Sequence, residues 1–293
     1  MFDYDRLHTA ISMLGRKQLF FVGGTGKSGT TWLQLLLDAH PSVSCSGEGH
    51  FPDHLWDVLK QAMDQYTTLI RTNNEQLFNE LEGYVPPTHE DLLYIFASCI
   101  AVFLVEQSKH KAAFAIGEKT PGNIRYFPEL ATLFPASKFI QIVRDGRDCA
   151  ISGWFHNLRN EEWVKHNCGS LDTFVGRVAE LWGTDLAKAQ EFADANPDRI
   201  RRIRYEDLVK DTEATLAGLF AFLGDETTET VIADCRRQAS FAKWSGGRSP
   251  GEENRLSFFR KGITGDWRNH LSEEQNASFR KQAGSWLDRF GYS

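Results

Sequence analysis

The sequence has few of the features that mark secreted, metal-binding or nucleic-acid-binding proteins. Only five of its 293 residues are cysteines, and no two of them have the Cys-x-x-Cys spacing. Disulfide frameworks and zinc sites need more regular cysteine clusters than this. The formal net charge is −6, whereas nucleic-acid-binding proteins are usually basic. We therefore expect reduced, mostly buried thiols, no metal site and no nucleic-acid partner.

The sequence also shows no leader and no long apolar run. The apolar residues 19–22 have only the length of a strand. No window reaches the roughly 18 apolar residues that a membrane span requires. The N-terminus lacks the charged, apolar and small-residue regions of a signal peptide. On these grounds we expect a cytoplasmic enzyme without a membrane anchor.

What the sequence does contain is an alternation of strand-like and helix-like segments. Hydrophobic residues make up 41% and charged residues 25%, which is ordinary for a globular protein. Strand patterns cover residues 18–22, 138–143 and 200–205, and helical patterns cover residues 31–39, 53–71, 89–108, 149–157, 171–195 and 211–223. This alternation predicts an α/β fold with a central parallel sheet flanked by helices. We expect a single domain over residues 1–293, with the polar segment 226–262 partly as a loop.

A glycine-rich segment, GGTGKSGTTW at residues 23–32, follows the first predicted strand and opens a helix. Glycines let the backbone approach a ligand closely, and the free N–H groups of a helix start favour an anion. Lys27 adds a positive charge, and nearby hydroxyl groups add donors. The segment therefore predicts a phosphate or sulfate site. A P-loop nucleoside triphosphatase would need glycine at position 21, where this chain has Phe21.

Residues 26–33, GKSGTTWL, resemble the 5′-phosphosulfate loop of sulfotransferases that use 3′-phosphoadenosine 5′-phosphosulfate (PAPS). The resemblance implies a P-loop-like sulfotransferase fold. It also implies that Lys27 holds the bridging oxygen and the 5′-phosphate and that Trp32 stacks on adenine. The other implied donor-binding residues of this loop are Ser28, Gly29, Thr30 and Thr31.

A second phosphate site is indicated by residues 142–152, IVRDGRDCAIS. The family binds the donor's 3′-phosphate with an arginine and a serine eight residues later, which are Arg144 and Ser152 here. A guanidinium can grip a phosphate with two hydrogen bonds. The alternative is that Arg144 and Arg147 form a surface ion network with Asp145 and Asp148.

Two further segments resemble the family. The sequence FRKGITGDWRN at residues 259–269 is similar to its C-terminal segment, which implies that Arg260, Lys261 and Gly262 close over the 3′-phosphate. Residues 204–208, RYEDL, resemble the strand end whose tyrosine lies near adenine, here Tyr205. Residues 240–241 are a weaker candidate for another nucleotide contact. We expect Trp267 to be a core aromatic residue.

Sulfuryl transfer needs in-line positioning and stabilisation of the leaving phosphate oxygen. The resemblance assigns this stabilisation to Lys27, with Ser152 drawing Lys27 toward the 3′-phosphate until the acceptor arrives. Lys119, in the sequence GEKTP, is the second predicted catalytic cation. No metal is required if lysines neutralise the leaving group.

The base is harder to assign. In cytosolic animal sulfotransferases a histidine follows Lys-Thr, but this chain has Pro121 there. The stretch LDAHPSVSCSGEGH at residues 37–50 resembles tyrosylprotein sulfotransferases and places Glu48 at their base position. A carboxylate can act as base when burial raises its pKa. His50 and, less strongly, His156 remain alternatives.

We therefore predict a sulfotransferase that moves a sulfuryl group from PAPS to a hydroxyl or amine and releases 3′,5′-adenosine bisphosphate (PAP). A P-loop small-molecule kinase is the alternative, and magnesium dependence would distinguish it. A nucleotide-binding module without activity is a third reading. A small-molecule acceptor is expected, but the sequence identifies neither the acceptor nor the oligomeric state.

Overall fold

Five parallel strands form one sheet in the order β2-β3-β1-β4-β5. The structure is a computed structural model and describes residues 4–78, 83–159 and 161–292. The strands are β1 (Gln18–Gly23), β2 (Val43–Gly47), β3 (Ala115–Lys119), β4 (Lys138–Val143) and β5 (Ile200–Arg204). The helices are α1 (Tyr4–Leu14), α2 (Thr30–Asp38), α3 (Trp56–Asn73), α4 (His89–Ser108), α5 (Phe127–Leu133), α6 (Gly146–Asn157), α7 (Glu161–Asn167), α8 (Leu171–Ala195), α9 (Tyr205–Lys210), α10 (Thr212–Leu223), α11 (Glu229–Gln238), α12 (Phe241–Ser245) and α13 (Glu273–Arg289).

Neighbouring residues of β1 point to opposite faces of the sheet, and both faces are covered. Phe20 packs on one side with Leu33 and Leu36 of α2 and with α10. Phe21 packs on the other side with α4, α5 and α8. This two-sided burial explains why the strand reads as a continuous apolar run instead of an alternating one.

The predicted α/β fold with a central parallel sheet flanked by helices is confirmed. The three predicted strands correspond to β1, β4 and β5, and the predicted helix at residues 89–108 is α4. The strands β2 and β3 are additions that the sequence did not predict. The thiols are confirmed as free, and four of the five are buried, with Cys99 intermediate. In the polar segment 226–262 the structure places α11 and α12, followed by irregular backbone.

Helix α4 corrects one expectation. Its 20 residues have a window of mean hydropathy 1.5, so by length and composition it could cross a membrane. Its side chains Phe96, Ile100 and Leu104 lie in the core beside Phe21. A core helix meets the same criterion, and a single helix of this kind is weak evidence for a span.

Candidate active site

Each of the five strands has a predicted site residue at or just after its carboxyl end, so these residues lie along one edge of the sheet. Lys27 follows β1, Glu48 follows β2, Lys119 ends β3, Arg144 follows β4 and Tyr205 follows β5. A cavity of about 580 Å³ opens there. This is the edge at which open α/β sheets bind ligands.

Nearly all of the predicted site residues line this cavity. They are Lys27, Gly29, Thr30, Thr31, Trp32, Glu48, Arg144, Ser152, Tyr205, Arg260, Lys261 and Gly262. Ser28 and Lys119 lie in the wall behind it and are almost fully buried. His156 lines the cavity as well, whereas His50 does not.

The phosphate loop has the shape of an anion cradle. Gly29 has φ +98°, and a Cβ there would lie 2.5 Å from the Tyr205 ring, so only glycine fits. Lys27 adopts φ 70°, a left-handed conformation that costs a non-glycine residue roughly 1–2 kcal/mol. Helix α2 begins at Thr30 without a side-chain cap, so its first N–H groups are free for a ligand. The hydroxyl of Ser28 is buried and has no partner among the described residues.

The ammonium group of Lys27 lies at the mouth of this loop beside a histidine and an aromatic ring. Its Nζ is 3.2 Å from Nδ1 of His156 and 4.5 Å from the centre of the Phe258 ring. Burial, followed by the positive charges of Arg159 and Arg144, lowers the pKa of Lys27 to about 8. Burial and the Lys27 charge also lower the pKa of His156 to about 4. His156 is therefore a neutral acceptor for the Lys27 proton near pH 7.

This geometry differs from the expectation for Ser152. Ser152 lines the cavity from α6, but among the described residues the hydrogen bond of Lys27 goes to His156, one helical turn further along α6. Residues four apart share a helix face. In this state His156 occupies the place that the resemblance assigned to Ser152.

Lys119 and Glu48 form an ion pair at the floor of the site. Nζ of Lys119 lies 2.5 Å from Oε1 of Glu48 and 3.3 Å from Oγ1 of Thr31. Strand register produces this contact, because Gly47 of β2 and Val22 of β1 both pair with Lys119. The Glu48 side chain is 38% exposed. The sequence predicts a base whose carboxylate is buried, and Glu48 is more exposed than that.

Arg144 follows β4, and its side chain lines the cavity at the end of the sheet. Its guanidinium lies 4.4 Å from the Tyr205 ring centre, donates to the Ile263 carbonyl at 3.0 Å and pairs with Asp148 at 3.3 Å. Its Nε is buried without a partner among the described residues. Arg147 pairs with Asp145 at 2.8 Å. These ion pairs exist, but they are buried and do not form the surface network considered above.

Residues 260–262 border the cavity, and the side chains of Arg260 and Lys261 both bind the carboxylate of Asp266. Lys261 donates to Oδ1 of Asp266 at 2.6 Å, and Arg260 donates to Oδ2 of the same carboxylate. Burial alone would raise the pKa of Asp266, but the hydrogen bonds from Lys261 and Arg260 hold it well below its usual range. Trp267 is buried as expected and packs with Phe155.

The predicted adenine contacts lie together on the opposite wall. The rings of Trp32 and Tyr205 meet edge to face at 5.8 Å, and the Trp32 indole N–H donates to the Ala239 carbonyl at 2.9 Å. Ser240 and Phe241 line the same wall. The unpartnered Ser28 hydroxyl and Arg144 Nε, together with these rings, fit a ligand with an aromatic base and two phosphates.

Two acidic groups near Glu48 were not predicted. Glu118 is buried on β3, and burial raises the pKa of its carboxyl. It accepts hydrogen bonds from the Gly49 N–H at 2.8 Å and from Thr120 at 2.6 Å, which fixes the backbone next to Glu48. Asp53 lies 3.0 Å from His50. The Glu118 contact joins β3 to the segment after β2, and no sequence motif signalled it. Asp53 is three residues from His50, and this spacing is the signal that could have indicated its role.

His50, Asp53 and His54 offer three donor atoms within 4.8 Å of one another. The Nδ1 of His50 is already bonded to Asp53, and His54 is exposed. We therefore assign no metal to these residues.

Comparison with known proteins identifies the family of the chain. Residues 20–229 match the model of the sulfotransferase family. A putative protein-tyrosine sulfotransferase of Caenorhabditis briggsae is 26% identical over 74% of this chain and 69% of its own length. Protein-tyrosine sulfotransferase 2 of Gallus gallus is 24% identical over 78% of this chain. The matched part spans only 57% of the chicken protein.

Solved structures share the fold. The mouse sulfotransferase SULT7A1 in complex with PAP has a TM-score of 0.54 at 20% identity, covering 97% of this chain and 94% of the mouse chain. Sulfotransferase STF9 of Mycobacterium avium has a TM-score of 0.58 at 13% identity, covering 99% and 81%.

These relatives correct one expectation and settle the main one. The expected cytoplasmic location is wrong, because several curated relatives are protein-tyrosine sulfotransferases, which are Golgi membrane enzymes. The match supports sulfuryl transfer and gives no support to the kinase alternative. With a family match over 210 residues, from 20 to 229, and a phosphate loop of the expected shape, this chain belongs to the sulfotransferase family.

Proposed function

We propose that this protein transfers the sulfuryl group of PAPS to the hydroxyl group of a small molecule, with Glu48 as the base. One observation carries the proposal. Glu48 lines the 580 Å³ cavity and also a second cavity of about 200 Å³. No other described residue lines both. A base that removes a proton from the acceptor while sulfur is transferred must reach both ligands.

The larger cavity supplies the donor side of the reaction. Arg144, Arg260 and Lys261 would face the 3′-phosphate, and the loop around Lys27 would hold the 5′-phosphate. When the acceptor oxygen bonds to sulfur, the bond between sulfur and the 5′-phosphate oxygen breaks. Negative charge then grows on that phosphate oxygen, and the Lys27 ammonium stabilises it.

The floor of the site supplies the acceptor side. Lys119 contacts Thr31 and Glu48 and so lies between the phosphate loop and the base. Its charge would stabilise the sulfuryl oxygens during transfer. With Oε1 of Glu48 occupied by Lys119, Oε2 is the oxygen that would receive the acceptor proton.

The second cavity indicates the kind of acceptor. Phe51, Phe103 and Leu104 line it next to Glu48, and the rings of Phe51 and Phe103 lie 5.9 Å apart and nearly parallel. Ser46, Gln107 and Glu118 also line it, so its wall is mixed and suits an uncharged ligand that has both an apolar body and a hydrogen-bonding group. This supports a phenol or alcohol with an apolar body. The relatives named protein-tyrosine sulfotransferases support tyrosine in a peptide as the second candidate.

Calorimetric titration with PAP, beside ATP with and without magnesium, tests the donor site. We expect PAP to bind without metal and ATP to bind weakly. Binding that prefers magnesium–ATP would refute the proposal.

Radiolabelled PAPS then tests the acceptor class with 2-naphthol, 1-octanol and a tyrosine-containing peptide as probes. Transfer to either small molecule supports the proposal, whereas transfer to the peptide alone refutes the small-molecule assignment. Glu48→Gln should abolish transfer and keep PAP binding, and retained transfer would exclude Glu48 as the base.

A further inference from the structure

The two oxygens of the Glu48 carboxylate have different neighbours. Oε1 is bonded to Nζ of Lys119 at 2.5 Å. Oε2 lies 3.5 Å from Nε2 of His50. One oxygen therefore accepts a hydrogen bond from an amine, and the other faces an imidazole nitrogen. Separations of this size are common between catalytic groups before substrates bind, and they shorten in the reacting complex.

The His50 ring is held in the orientation that a proton transfer from Glu48 requires. Its Nδ1 is 3.0 Å from Oδ2 of Asp53, and its backbone N–H donates to Oγ1 of Thr120 at 3.2 Å. His50 also adopts φ 48°, a left-handed conformation that is uncommon for residues other than glycine. A carboxylate at Nδ1 keeps the proton on that nitrogen and leaves the lone pair of Nε2 toward Glu48.

We propose that His50 and Asp53 form a proton outlet for Glu48, through which the base is returned to its ionised state after each turnover. The inference rests on the proposed function, because it takes Glu48 as the group that receives the acceptor proton. In the step itself, the O–H bond of protonated Glu48 breaks and an N–H bond forms at Nε2 of His50. A carboxylate and an imidazolium result, and no electrons are gained or lost.

The proton then leaves the protein. Asp53 balances the charge of the imidazolium, and the His50 side chain is 40% exposed, so water or a buffer base can take the proton. Once the proton has left, His50 is neutral again and Glu48 is ionised for the next acceptor.

The cavities separate this role from a direct role of His50 as base. Glu48 lines both cavities, and His50 lines neither. The carboxylate therefore lies between the ligands and the imidazole. A base must contact the proton that it removes, and among these two groups Glu48 meets that condition.

Other ionisable groups face His50 and Asp53, and none of them fits the same role. His54 has its ring centre 5.1 Å from that of His50 but is exposed. Glu118 is occupied by three hydrogen-bond donors. Arg125 lies close enough to Asp53 for their charges to interact, and its guanidinium already carries its proton and cannot accept another.

The test compares His50→Ala, Asp53→Asn and Glu48→Gln with the matched control His54→Ala. Turnover is measured with saturating PAPS and the fastest of 2-naphthol, 1-octanol and the tyrosine peptide, from pH 6 to 9, with and without added imidazole. Calorimetric PAP binding reports whether each variant is folded. We expect His50→Ala to lose about 10- to 100-fold in turnover with PAP affinity unchanged. Imidazole in solution should restore turnover in this variant.

Asp53→Asn should lose less, about 3- to 10-fold, because the imidazole remains and only its orientation is weakened. His54→Ala should stay within about twofold of the parent. Imidazole should not restore Glu48→Gln, because that variant lacks the group that contacts the acceptor.

Two results would overturn the outlet without touching the proposed function. One is normal turnover in His50→Ala at every pH and buffer concentration. The other is a loss of turnover in His50→Ala that added imidazole does not restore, together with normal turnover in His50→Gln. Glutamine cannot relay the proton as imidazole does, so this result would show that His50 only holds the loop. If Glu48→Gln keeps turnover while His50→Ala does not, Glu48 is not the base and both proposals fail. If the parent protein binds PAP but transfers sulfuryl to none of the three probes, the acceptor proposal fails separately.

Discussion

Lys27 should make donor binding sensitive to alkaline pH. Its pKa is lowered to about 8 by burial and by neighbouring arginines, so the side chain is charged below pH 8 and neutral above it. If PAP binds only the charged form, affinity falls in proportion to the charged fraction. Between pH 7.5 and pH 9.5 this corresponds to about 25-fold weaker binding. The phosphates of PAP are already almost fully ionised in this range, because their second pKa is near 6.

Calorimetry of PAP binding across this range measures the effect. His156 does not interfere, because its pKa is lowered to about 4 and it stays neutral throughout. Burial also raises the pKa of the Cys149 thiol far above the range. The matched control is Lys27→Arg, whose guanidinium stays charged, so its affinity should change less than about twofold. An equal pH slope in parent and control, or no slope in the parent, would refute this reasoning.

Three further substitutions test other parts of the site. Gly29→Ala places a Cβ 2.5 Å from Tyr205 at φ +98° and should lower the free energy of unfolding by about 1–3 kcal/mol, as measured by denaturant titration. Asp266 has a lowered pKa, so its stabilising contribution is present above pH 4 and is lost as pH falls through the folded pKa. The melting temperature of Asp266→Asn should therefore be lower than the parent's at pH 7, and the gap should narrow toward pH 3; a constant gap would contradict this. Lys119→Met leaves Glu48 without its cation and should reduce turnover about 100- to 1,000-fold, with little change in PAP affinity. Undiminished turnover in this variant would remove Lys119 from the transfer step.

The fold could be predicted where strands are long and apolar, and not where they are short and polar. Strands β1 and β4 were predicted from apolar runs, and β5 was predicted although its sequence, IRRIR, contains three arginines. Strand β3 reads AIGEK, and its last two side chains, Glu118 and Lys119, are charged although all five residues are buried. Gly117 is small because a Cβ there would lie 2.3 Å from the Phe20 ring. The charged pair is buried because it serves the site, so apolar periodicity cannot reveal the strand.

The site could be predicted where it is contiguous in sequence. The phosphate loop is one segment, and its glycines, lysine and hydroxyl groups indicate its chemistry directly. The contact between Glu48 and Lys119 spans 71 positions and depends on strand register. Ser152 and His156 lie on the same face of α6, so the sequence alone could not tell which of them meets Lys27.

The charges around the donor cavity explain why pH sensitivity should concentrate at one residue. Lys119, Arg144 and Lys261 each have a carboxylate partner within the protein. When a phosphate of the donor binds, it replaces or joins the partner carboxylate of each of these cations. The cations can therefore stay charged before and after binding. Lys27 instead contacts the neutral ring of His156, and within the part of the chain that the structure describes it forms no ion pair with a carboxylate. The donor would supply that missing anion, and binding should therefore draw a proton onto Lys27 above pH 8, a proton uptake that calorimetry in buffers of different ionisation enthalpy would detect directly.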